Sequence, residues 1–285
     1  MASLKDLRRR IRATKSMQQI FKAMEMVAAA KLRRAQARAG AAAPYAEKIT
    51  QMLTNLSGAA SEFEHPLFKA REVKTTALVV VTSDRGFAGA YNTNVLRVVE
   101  ERLKSAPKGS VQVVAVGRKG RDYLRRRGYA ILAAHTELPG EASLDLARTL
   151  TDDLTARVVG GEVDRVELVY SHFVNALVRR IRQEVFLPVG AGETKQAAAD
   201  RGTIFEPDAE SIFGALLQRY ATAKLYAAMA DALASEQSAR MVAMGSARKN
   251  AGELVDSLTL TRNRLRQAAI TKEIAELVGG AEALK

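Results

Sequence analysis

From Ser3 to about Leu56, apolar side chains recur at Leu4, Leu7 and Ile11, then at Met17, Ile20, Met24 and Val27, and again at Ile49, Leu53 and Leu56. Steps of three and four place such residues along one side of an α-helix. Gly and Pro are absent until Gly40 and Pro44, while Ala, Lys, Arg, Gln and Met dominate. The pattern predicts one long helix whose apolar stripe needs a partner surface.

The middle of the chain changes period. The β-branched runs Thr76–Thr82 and Val111–Val116 alternate with helical stretches at Asn94–Leu103 and Lys119–Arg126. Further strand-like segments follow at Ala130–Ala133, Val166–Tyr170 and Ile181–Leu187, with an amphipathic helix over Leu144–Val159. Strands alternating with helices predict β-α-β units in one Rossmann-like domain over residues 70–190.

A polar, Ala-rich stretch over Gly190–Gly202 leads to Asp208, a suitable helix cap. Beyond it Leu216, Tyr220, Ala223, Ala227, Ala230, Ala234, Gln237, Met241 and Met244 are separated by strictly alternating steps of four and three. That is a heptad seam. In the same frame Arg248 and Arg262 interrupt Ala251, Val255, Leu258, Leu265 and Ala269, so the helix is expected to leave its partner there.

The expected fold is therefore mixed: a long antiparallel coiled coil of N- and C-terminal helices, residues 1–58 and 208–285, with a central α/β domain between them. The Ala-rich seam and the 5% aromatic content suggest two closely approaching helices forming a thin rod beside a compact domain. A rod is an unusual shape for an enzyme.

Composition narrows the partners. Lys and Arg number 44 against 31 Asp and Glu, a net charge of +13, and eleven of the cations fall within residues 1–40 beside only Asp6 and Glu25. Such an excess implies acidic partners. There is no Cys, which excludes disulfides, thiolate catalysis and Cys-held metals, and His65, His135 and His172 show no metal-binding spacing. No apolar run reaches the roughly 18–20 residues that span a bilayer, and the start lacks a secretory h-region. A soluble or peripheral protein is expected.

Candidate chemistry is thin. The loop Ser83–Gly89 follows a strand and precedes a helix, where glycines can let amides cradle a phosphate. It matches neither a P-loop nor GxGxxG, and such glycines also serve positive φ alone. Gly117–Gly120 is a weaker signal. Asp152, Asp153, Glu162, Asp164 and Glu184 form no interpretable acid–base pair. The basic first helix could follow nucleic-acid phosphates, but its cations share the helix with an apolar stripe and few aromatics stand near them for base stacking. Helix pairing explains more of the segment.

At Ile270–Ala283 the chain resembles the signature of F-type ATP synthase gamma subunits, matching Ile270, Thr271, Glu273, Glu276, Gly280, Ala281 and Ala283. Thr14–Gln36, Ser83–Asn92 and Ser235–Met244 agree in the same order, so the resemblance covers essentially the whole chain. Departures are Arg262, where an aromatic is usual, and Ala88, where Cys is frequent. Lacking Cys, the chain cannot carry the chloroplast thiol switch, which favours a bacterial origin.

The resemblance implies a non-catalytic shaft in a ring of alternating alpha and beta subunits. It further implies contacts with epsilon and the membrane rotor ring of c subunits, delta in the same complex, no nucleic acid, and no metal or cofactor. The location it implies is peripheral, on the cytoplasmic face of the bacterial plasma membrane. Carried over residue by residue, Arg266 and Gln267 would bond a loop of beta. Thr271, Glu273 and Glu276 would serve coupling, with Met24, Lys15 and Arg9 on the other helix. The same residues also fit ordinary seam or surface packing.

Overall fold

The computed structural model describes residues 3–60, 65–68, 71–189 and 209–282. The chain divides into two compact units, one of Met1–Ala28 with Met241–Lys285 and one of Ala29–Arg240. The helices α1 (Leu4–Ala60) and α5 (Ala209–Glu282) each contribute to both. Asp208 and the stretch Gly190–Gly202 lie outside the described residues, as does the side chain of Leu56.

In the larger unit, β1 (Thr76–Val81), α2 (Tyr91–Ser105), β2 (Val111–Val116), α3 (Arg118–Arg126), β3 (Ile131–His135), α4 (Leu144–Val159), β4 (Arg165–Phe173) and β5 (Arg179–Leu187) follow in order. They build a five-stranded sheet of order β3-β2-β1-β4-β5, parallel except for β5, which runs antiparallel to β4. A strand covered on both faces reads as an unbroken apolar run, and all six residues of β1 are buried.

The period of two sorts that run between two cores. Ala77, Val79 and Val81 pack with Leu150, Leu154 and Val158 of α4, Leu217 and Leu225 of α5, and Ile49 and Leu53 of α1. Leu78 and Val80 pack on the opposite face with Val95, Leu96 and Val99 of α2 and Leu124 of α3. Glu167 of β4 is only 5% exposed at the rim of that second core. It accepts from Arg102 Nε and Nη2 at 2.9 and 3.1 Å and from Gln183 Nε2 at 3.0 Å. Burial pushes this carboxyl up, but those hydrogen bonds and the Arg102 charge outweigh burial and hold it below the usual carboxylate range.

Strand and helix ends differ from expectation by a few residues, because ladder pairing continues past the β-branched positions: β4 extends to Phe173 and β5 begins at Arg179. The seam of α5 describes one of two buried faces. Leu216, Ala223, Ala230, Ala234 and Gln237 are buried as the heptad requires, whereas Ala227 is exposed. The second face, Leu217, Ala221, Leu225, Ala228 and Ala232, belongs to the sheet core. Ser235 and Ser238 donate to the carbonyls of Ser171 and Ala176, fastening the helix to β4 and the turn after it.

Candidate partner-contact surface

The unit of Met1–Ala28 and Met241–Lys285 is built from the start of α1 and the end of α5. Ser3 opens α1 by accepting from Asp6 N at 3.2 Å, while its hydroxyl donates to the Asp6 carboxylate at 2.9 Å. The Ser3 hydrogen bond holds Asp6 below its ordinary value.

The helices close where side chains are small. A Cβ on Gly245 would stand 3.2 Å from Glu25 Oε1, and one on Gly252 would stand 2.9 Å from Gln18 Nε2. The partners descend α1 as they ascend α5, so the pair is antiparallel. Arg248 does not end the seam: its Nε bonds Glu25 Oε2 at 2.9 Å, and Ala251 and Val255 beyond it are each 7% exposed. An arginine at a seam edge can turn its charged head to a partner helix and leave the packing intact. Continued, the same register sets Leu4 level with Arg266. Thr271–Glu282 then extends about 18 Å further at 1.5 Å per residue, and every side chain over Thr271–Val278 is exposed.

The inward face of α1 differs from the expected stripe. Leu7, Ile11, Thr14 and Ala28 are buried, with Gln18, Phe21 and Glu25 half-buried between them, all on one heptad frame from Leu4. Met17, Ile20 and Val27, expected inside, are 46, 56 and 56% exposed. With half-buried Met24 they form a second apolar line of steps three, four and three, turned away from the helix pair. On α5, Ile270, Ile274 and Leu277 are 48, 56 and 74% exposed. Contiguous outward apolar side chains rimmed by charge mark interaction surfaces.

The other expected contact residues lie on this unit as well. Arg266, Gln267, Thr271, Glu273 and Glu276 are all exposed on α5, and Glu276 accepts from Lys272 at 3.5 Å one turn away. Arg9 pairs with Asp6 at 3.4 Å, and Lys15 is exposed. The register places Arg9 and the Arg266 region toward the same end of the pair, while Met24 lies about four turns along α1 from Arg9. The expected residues are thus spread over two faces and several turns. The outward line of Met17, Ile20 and Val27 is the part that sequence reasoning missed as surface. Its signal was present, because two apolar frames coexist on α1 and one helix side cannot hold both.

The central loop is closed by its own bonds. Asp84 accepts from Arg118 N at 2.7 Å and Leu138 N at 2.6 Å, so a carboxylate already sits at the N-terminus of α3, where a phosphate would otherwise be drawn. Ser83 and Asn92 bond each other at 2.8 Å, and Arg240 Nη2 donates to Gly86 O at 3.2 Å. Gly117 and Gly120 are needed for close approach, since a Cβ would fall 2.3 Å from Thr82 O and 2.7 Å from Thr82 Oγ1 respectively. Among the described residues there is no group of three potential metal ligands, and no helix is long and apolar enough to cross a membrane.

The ATP synthase family pattern matches residues 3–284. The ATP synthase gamma chain of Desulforamulus reducens is 47% identical over 285 residues, all of both chains, and that of Moorella thermoacetica is 45% identical over 285 residues at the same coverage. Among solved structures, the central stalk and c-ring of Tetrahymena thermophila mitochondrial ATP synthase gives a TM-score of 0.65 at 26% identity, over 80% of this chain and 99% of that one. A chain of the Euglena gracilis mitochondrial ATP synthase in rotational state 3 shares the fold, with a TM-score of 0.69 at 20% identity over 99% and 94% of the two chains. The chain belongs to the ATP synthase gamma chain family.

Proposed function

We infer that this chain is the central rotor shaft of an F-type ATP synthase, transmitting torque between an ion-driven rotor ring and a catalytic head of alpha and beta subunits. The observation that carries this reading is the outward apolar line on the helix pair. Met17, Ile20 and Val27 on α1 and Ile270, Ile274 and Leu277 on α5 find no cover within their own unit. A ring of alpha and beta subunits around the pair would supply it.

The charges fit the same use. Exposed Arg9, Lys15 and Arg266 can meet acidic surfaces of beta and let go again, because exposed ion pairs contribute only about 0–1 kcal/mol each. Arg266 and Gln267 bond a loop of beta in this reading, while Thr271, Glu273 and Glu276 couple ring to shaft. The chain itself supplies no catalysis: the shaft biases beta sites into different conformations through differential contact, and ATP is handled there. The α/β domain, within residues 70–190, meets epsilon and the c subunits, with delta elsewhere in the complex. The whole is peripheral on the cytoplasmic face of a bacterial plasma membrane.

The reading is tested by mixing the purified chain with alpha and beta subunits and following co-elution with ATP hydrolysis. A stoichiometric complex with stimulated hydrolysis supports it. Absence of association, with salt-sensitive binding to duplex DNA instead, overturns it.

A further inference from the structure

In the unit of Ala29–Arg240, three cations of α1 gather at a concave place. Lys31, Arg34 and Arg38, at steps of three and four on one helix face, stand over the loop that carries Gly140 and Glu141, and Leu233 of α5 closes the third side. The cleft between these three chain segments has a volume of about 60 Å³. Nothing in the rotor reading uses it.

The charges there are not balanced. Arg38 Nη2 bonds Glu141 Oε2 at 2.6 Å, which fixes one guanidinium at the rim. The other nearby carboxylate, Glu236, is engaged by Arg240 at 2.6 Å. Arg34 is exposed and has no carboxylate partner among the described residues. Lys31 is half-buried, and its ammonium sits where a Cβ on residue 140 would press it, at 3.4 Å; glycine leaves that place open. Three cations against Glu141 leave two positive charges on a cleft partly walled by apolar side chains, where charge acts more strongly than in open water.

We propose that this cleft is a binding site for a phosphoryl oxyanion. Its volume accommodates several water-sized atoms, and a phosphoryl group presents oxygens in that space. Guanidinium forks match two such oxygens at once, and a lysine ammonium adds a point charge. A doubly charged phosphoryl group neutralises the surplus. The group can come from free phosphate or from the terminal phosphate of a nucleotide extending into solvent.

Isothermal titration of the full chain with inorganic phosphate and with ADP, at constant ionic strength set with NaCl, tests the site. Saturable binding is expected, weakened about tenfold or more by Arg34→Gln. Glu141→Gln, which removes the competing carboxylate and frees Arg38, should tighten it. Lys249→Gln, an equal loss of charge at a residue that does not line the cleft, should leave it unchanged. ADP binding more tightly than phosphate assigns the group to a nucleotide, and equal or weaker ADP binding assigns it to free phosphate. No saturable heat at about 10 mM ligand, or equal weakening by Arg34→Gln and Lys249→Gln, overturns the proposal. The measurement needs neither alpha nor beta, so its failure leaves the rotor reading untouched, and failure of that reading leaves this site standing.

Discussion

Removing the Glu167 carboxylate should loosen the sheet by an amount that the geometry fixes. Glu167 joins β4 to α2 through two bonds from Arg102 and to β5 through Gln183. Deleting one partner of a fully buried ion pair costs about 3–5 kcal/mol. Here the Arg102 side chain is 23% exposed and Gln183 is exposed, so both recover some hydration. The expected cost of Glu167→Ala is thus lower, about 2–3 kcal/mol. Native-state hydrogen exchange on the full chain reads this directly. Amides of β1 and β4 should exchange about thirty- to a hundred-fold faster, at tenfold per 1.4 kcal/mol.

The pH dependence carries a definite sign. The folded carboxyl lies below its usual value, so its contribution is fully present above the unfolded pKa and is lost as pH falls through the folded one. Wild type and variant should therefore converge in acid. The double variant Glu167→Leu with Arg102→Leu should be close to wild type, because an apolar pair of similar volume replaces the ion pair without leaving an orphan charge. A change under about threefold in exchange at neutral pH, or the same difference at acid and neutral pH, would refute the reasoning.

Other perturbations separate the helix pair, the sheet and the contact surface. Ala230→Pro, at a position 1% exposed inside α5, should cost about 3 kcal/mol or more, seen as lost helicity by circular dichroism and failure to co-elute with alpha and beta. Gly117→Ala combines φ of 102° with a Cβ at 2.3 Å from Thr82 O; strain alone costs about 1–3 kcal/mol, and a markedly lower Tm should follow. Arg266→Ala should leave the Tm of the isolated chain nearly unchanged, since Arg266 is exposed. In the reconstituted complex it should weaken the hold on beta by about 1.5–3 kcal/mol and lower ATP turnover.

How much of this was legible in the sequence depended on whether a pattern had one cause or two. The α/β core was readable because β1 and β2 are buried on both faces, so their residue types alone mark them as central parallel strands. The helix α4 was readable because its apolar residues recur at helical spacing, and Ala147, Leu150, Leu154 and Val158 are buried on one side of it. On α1 the apolar residues Met17, Ile20 and Val27 serve the outside, while Thr14, Gln18 and Glu25 serve the inside. Hydrophobicity ranks those two faces in the wrong order. Only the unbroken heptad from Leu4 through Leu7, Ile11 and Thr14 identifies the inner one. The seam of α5 was likewise half the story, because residues such as Leu217 and Leu225 pack on a sheet distant in sequence. The charged cleft was illegible, since Arg34 and Glu141 come together only through the fold.

Torque transmission is tested most directly by watching this chain turn. The absence of native Cys allows Lys108→Cys, on an exposed turn of the α/β domain, to carry a single probe. Assembled with alpha and beta on a fixed support and supplied with ATP, the probe is expected to step in one direction by thirds of a turn and to stop when ATP is withdrawn. Steady ATP hydrolysis by that complex with the probe stationary, or moving only by undirected diffusion, would contradict the account.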